Sequence, residues 1–120
     1  MASDKIIERI YLPFPPSVNG LYAGKSHRYK SKAYRNWLDV CPELEALEID
    51  YPIKILYTFW WPDNRKRDGQ NYLKAPLDYL VSQGVFADDC WQVISSEAWQ
   101  HKGVHKGESK MECLILRVDD

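Results

Sequence analysis

Between Arg65 and Asp89 the chain reads RKRDGQNYLKAPLDYLVSQGVFADD, a run that crowds bases, acids and an amide pair around one amphipathic segment. Acids kept beside bases are costly unless they pair, bind metal or act on a charged substrate. Metal-assisted phosphodiester cleavage needs carboxylates converging on a divalent ion, usually with a lysine close by. Asp68, Asp88 and Asp89 are the candidate carboxylates, and Lys74 is the candidate lysine. Asp68 lies before the segment and the Asp pair lies after it, so they converge only if the fold brings two loops together. The same acids also suit a helix N-cap and a turn, and sequence spacing leaves both readings open.

Other chemistries find little support. No G-x-G-x-x-G, no G-K-[ST] phosphate loop and no G-x-S-x-G elbow is present. His101 and His105 are four apart but lie in a glycine-containing stretch, where that spacing gives no shared face. Cys41, Cys90 and Cys113 are widely spaced and lack a C-x-x-C or a nearby His pair, which argues against a zinc site or a disulfide framework. Cys90 has no activating His beside it.

Charge is segregated although the formal net value is only -1. From Leu21 to Asn36 the chain carries Lys25, His27, Arg28, Lys30, Lys32 and Arg35 and no acid. From Trp37 to Tyr51 it carries Asp39, Glu43, Glu45, Glu48 and Asp50 and no base. Such blocks place a basic surface on a neutral protein, as a polyanionic partner requires; a solvated loop and helix end would look the same.

The elements that must position these groups follow from periodicity and punctuation. Lys5–Leu12 reads as a strand, stopped by Pro13, Pro15 and Pro16. Asn19-Gly20 reads as a turn, with Asn19 suited to a left-handed conformation. Ser31 is a candidate N-cap for a helix ending near Cys41-Pro42, with Tyr34, Trp37, Leu38 and Cys41 as its apolar stripe. Glu43–Asp50 is either a helical turn or an acidic loop. Pro52–Trp61 is apolar on both faces and reads as a central strand. A helix is expected over Gln70–Gln83 with Gly84 as its stop; Pro76 requires either a kink or an irregular first turn. Cys90–Gln100 reads as a strand, His101–Lys110 as a hairpin loop and Lys110–Val118 as the last strand.

At 120 residues and 14.1 kDa the chain fits one domain, 1–120. The element order predicts an α+β fold: two layers, with a mixed sheet of about four strands and two main helices on one face. The N-terminus lacks an apolar leader core, and no apolar run approaches the ~18 residues of a membrane span, so a cytoplasmic protein is expected.

Taken together, the motifs resemble the RusA family of Holliday junction resolvases, and the resemblance spans nearly the whole chain. Leu12-Pro13, Pro15-Pro16-Ser17 and Asn19 are similar to the family's L-P-x-P-P-S-x-N opening. Arg65, Arg67, Asp68, Asn71, Lys74, Asp78 and Leu80 resemble its R-x-R-D-x-D-N-x-x-K-x-x-x-D-x-L core. Gly84, Phe86, Asp88 and Asp89, with Gln92 and Val93 one residue further along, look like its G-x-F-x-D-D-x-Q-V segment. The resemblance implies a magnesium-dependent homodimer, with manganese as a substitute metal, that binds four-way DNA junctions and nicks two strands symmetrically. It implies that Asp68 and Asp89 bind metal, that Lys74 is the catalytic lysine and that Asp88 is a further metal candidate. It also implies that the Pro-rich segment, the loop bearing Lys25, His27 and Arg28, and the run Arg65, Lys66 and Arg67 face DNA. Gln70 stands where the family has its second Asp of D-x-D-N. An amide oxygen can ligate magnesium but brings no charge. Two outcomes follow: a cleaving site built around Asp68, Asp88 and Asp89, or a protein that binds junctions without cutting.

Overall fold

The computed structural model describes residues 5–118; residues 1–4 and 119–120, part of the expected 1–120 domain, lie outside the described residues. In chain order the elements are β1 (Lys5–Pro13), β2 (Tyr22–Ala23), β3 (Tyr29–Lys30), α1 (Lys32–Val40), β4 (Ile53–Trp61), α2 (Lys74–Ser82), β5 (Ile94–Val104) and β6 (Lys110–Arg117). Short 3-10 turns occupy Val18–Gly20 and Gly69–Tyr72.

The β-branched and aromatic run of β4 takes the interior of a mixed four-stranded sheet ordered β1-β6-β4-β5. β4 is antiparallel to β6 and parallel to β5, and β6 is antiparallel to β1. The parallel pair requires a crossover, which the Gly69–Tyr72 turn and α2 provide. Ile53, Ile55, Tyr57 and Phe59 share one face with Met111, Cys113 and Ile115, and all are at most 1% exposed. Tyr34 and Trp37 of α1 and Ala75, Tyr79 and Leu80 of α2 join that core, so both helices cover the same face. Burying each large apolar side chain there contributes roughly 1.5–3 kcal/mol. The architecture is therefore an α+β domain with a four-stranded mixed sheet, two helices and a small β2–β3 hairpin.

Several local readings hold for identifiable reasons. Ser31 caps α1 by accepting a hydrogen bond from the Tyr34 amide at 3.1 Å. Gly84 follows the last turn of α2 at φ 77°, the left-handed conformation of a C′ residue. The three thiols are free.

Others are corrected. The helix expected over Gln70–Gln83 is two pieces, a 3-10 turn and then α2 from Lys74. Pro76 consequently sits in the first turn of α2, where no intrahelical donor is needed, and the irregularity lies before it. Glu43–Asp50, left open between a helical turn and an acidic loop, is the loop, tied down by a parallel bridge between Ile49 and Phe86. Residues 90–93 form a turn, and the strand runs on from Ile94 through His101 to Val104, so the hairpin loop is confined to 105–109. Pairing along the full length of β4 drives that extension. Asn19 lies inside the Val18–Gly20 turn, closed by Gly20 N–H to the Ser17 carbonyl at 2.9 Å, and it does not adopt positive φ.

Candidate active site

The loop after β4 ends in a tight turn whose first residue is Asp68. Its carboxylate accepts a hydrogen bond from the Gln70 amide at 3.1 Å, and its carbonyl accepts from the Asn71 amide at 3.0 Å. Asp68 is thus the N-cap of a 3-10 turn and remains exposed. Gly69 is buried beneath Trp99 of β5: a Cβ built there would meet Trp99 Cδ2, Cε3 and Cε2 at 2.4–2.6 Å. The Val18–Gly20 turn, bearing Asn19, packs beside the same residues.

Arg67 anchors the approach to this turn. Its guanidinium donates to Asp63 Oδ1 at 2.7 Å and lies over the rings of Phe14 and Trp61 at 5.7 and 5.9 Å. The Arg67 side chain is only 9% exposed. Its hydrogen bond, with that of the Arg65 amide, pulls the Asp63 carboxyl down to about 2. Arg67 therefore faces inward, whereas Arg65 and Lys66 are exposed. Phe14 packs on Phe59, Trp61 and Tyr72, and Pro15 is buried. Phe14 and Pro15 thus pin the Pro-rich segment to the core, while Pro16 is half-buried and Val18–Gly20 is exposed.

Lys74 opens α2 and pairs across one helical turn with Asp78, Nζ to Oδ2 at 3.2 Å. Beyond α2, the neighbouring acids Asp88 and Asp89 behave differently. Asp88 Oδ1 accepts the Asp89 amide at 2.7 Å. Asp89 lines an open cleft together with Gln70, Lys74, Asp78 and Glu97. The fold thus brings Gln70, Lys74 and Asp89 to one place. Asp68, capping the turn before Gln70, and Asp88, next to Asp89, each keep a carboxylate oxygen on a backbone N–H.

Glu97 was not among the residues singled out from sequence. It belongs to β5, opposite Ile55 in the parallel ladder, which directs it to the helix-covered face. Glu97 Oε2 accepts a hydrogen bond from the Tyr57 hydroxyl at 2.6 Å. Burial and then the Glu97 charge hold the Tyr57 phenol well above its ordinary value, so it serves as a fixed donor. Alternation along the strand marked Glu97 as facing one side; only the register with β4 could say which.

Among the described residues no three His, Cys, Asp or Glu side chains cluster tightly enough to cage a metal ion. Magnesium, however, commonly binds through one or two carboxylates, with waters and substrate phosphate completing its shell. Asp89, Glu97 and the Gln70 amide oxygen on one open cleft are a hard-oxygen set that fits such a water-rich site. Lys25, His27 and Arg28 are exposed at the tip of the β2–β3 hairpin, whose Tyr22 and Lys30 share a second hollow with Asp78. Among the described residues, no helix is long and apolar enough to cross a membrane.

Comparison with known proteins bears on this arrangement. The family model described as "Endodeoxyribonuclease RusA" matches residues 13–109. The chain is 36% identical over 91 residues to the crossover junction endodeoxyribonuclease RusA of Escherichia coli (strain K12), covering 71% of this chain and 75% of that protein. The namesake protein of Enterobacteria phage 82 is similar to the same extent. That of Enterobacteria phage HK97 is 34% identical over 88 residues, covering 65% of this chain and 70% of its own. The matched region contains the whole stretch from Arg65 to Asp89.

Proposed function

This chain belongs to the RusA endodeoxyribonuclease family, and from that premise we propose that it resolves four-way DNA junctions by paired, magnesium-dependent cleavage of phosphodiesters. One observation carries the reading: Gln70, Lys74 and Asp89, drawn from a turn, a helix and a separate loop, line a single open cleft. A nuclease must gather such groups around one phosphate.

Asp89 and Asp68 would hold magnesium, with the Gln70 oxygen as an uncharged donor and Asp88 as a further candidate ligand. The ion, when bound, polarises the phosphoryl oxygen and lowers the pKa of a bound water. Lys74 supplies positive charge where negative charge develops on the phosphate, and Asp78 keeps its ammonium at the mouth of the cleft. Lys25, His27, Arg28, Arg65 and Lys66 would contact phosphates along the junction arms; Arg67 shapes the loop that presents Arg65 and Lys66. A substrate with two-fold symmetry calls for a homodimer with one cleft per nicked strand. Sedimentation should give a dimer at working concentration; a monomer would remove that part of the reading.

The test is cleavage of synthetic four-way junctions in magnesium by the wild type and by an Asp68→Asn, Asp89→Asn double variant. Paired nicks from the wild type and none from the variant are expected. Equal cutting by both would overturn the assignment. Gln70 favours a second reading, in which the protein binds junctions but does not cut them. That reading expects salt-sensitive binding without cleavage in magnesium or manganese, and reproducible nicking by the purified protein excludes it.

A further inference from the structure

We propose that Glu97 is a working acid of this cleft, supplying from β5 the negative charge that Gln70 lacks for holding a divalent cation. The inference rests on the nuclease reading above and assigns a role to a residue outside the Arg65–Asp89 run.

Three observations converge on it. The first is placement: β5 is an edge strand, yet its parallel register puts Glu97, Trp99 and His101 opposite Ile55, Tyr57 and Phe59, on the face that α2 covers. Trp99 uses that position to pack on Gly69, and Glu97 arrives at the cleft one step earlier. The second is orientation. Tyr57 is wholly buried and its hydroxyl donates to Glu97 Oε2 at 2.6 Å, so the carboxylate is held by a donor that itself cannot move. One oxygen of a carboxylate fixed in this way leaves the other available to a ligand, as second-shell hydrogen bonds do at metal sites.

The third is charge. Lys74 and Asp78 neutralise each other at 3.2 Å, and Gln70 is neutral. Asp89 and Glu97 then leave the cleft with two negative charges, the complement of a dication. Without Glu97 the lining would keep Asp89 as its one unpaired acid, and Asp68 would have to reach in from the preceding turn to supply a second charge.

The bland alternative is that Glu97 merely accepts the Tyr57 hydroxyl. Glu97→Gln separates the two, because the amide oxygen still accepts that hydrogen bond while the charge is removed. Manganese binding is measured on the DNA-free protein by electron paramagnetic resonance, alongside thermal unfolding and junction cleavage. The variant should melt with the wild type and bind manganese about ten- to a hundredfold more weakly. Adding Gln70→Asp to it should recover most of the affinity. Wild-type manganese affinity in Glu97→Gln would overturn the inference and leave the nuclease reading standing. A wild type that neither binds manganese nor cuts junctions would remove both.

Discussion

An added methyl group on Gly69 would lie 2.4 Å from Trp99 Cδ2, well inside van der Waals separation. The turn that carries Asp68 and Gln70 is thereby pressed against the edge strand that carries Glu97, and the two sides of the cleft are coupled through one ring. Gly69→Ala should therefore destabilise the protein by about 1–3 kcal/mol, the usual cost of overpacking. Denaturant unfolding checks this. Trp99→Ala in the same chain should restore part of that stability, a non-additive pair as expected of touching residues.

Lys74 is expected to matter for chemistry far more than for folding. Lys74→Ala should lower junction cleavage by about 10²–10³-fold, the range seen when one group stabilising transition-state charge is removed. Its exposed pair with Asp78 contributes little stability, so Asp78→Asn should cost only about 0.3–0.5 kcal/mol. Cleavage rates and urea midpoints of the two variants, measured together, test the separation.

Acid should loosen the loop before the cleft. Asp63 is held down to about 2 by the Arg67 guanidinium and the Arg65 amide, whereas a free Asp titrates near about 3.9. A carboxyl depressed in the folded state adds stability that is present above its unfolded pKa. That stability is lost as pH falls from about 4 through about 2. Asp63→Asn should flatten the decline in unfolding midpoint across that window. An unchanged pH profile would show that the pair contributes nothing.

The arginines of the Arg65–Arg67 run should divide by exposure. Arg65→Ala, like Lys25→Ala or Arg28→Ala, should make the slope of log affinity against log salt for junction DNA shallower, by about 0.9 for each phosphate the side chain had neutralised. Arg67→Ala should lower the melting temperature instead, because its guanidinium is paired with Asp63 and packed on Phe14 and Trp61. Salt titrations of DNA binding and thermal melts distinguish the two patterns.

Much of this protein was determined by local sequence. The alternating and β-branched runs specify β1, β4 and β6, Ser31 and Pro42 delimit α1, and Gly84 ends α2, because these signals act over a few bonds. The candidate chemistry of Asp68, Lys74 and Asp89, and the gap at Gln70, are also legible there, since motif spacing survives without coordinates. Long-range pairing decided the rest. Whether Arg67 meets DNA or Asp63 depends on aromatic rings contributed by Phe14 and Trp61, far apart in the chain. Whether Glu97 faces solvent or the cleft depends on the register of β5 against β4, where a slip of one residue reverses every side chain.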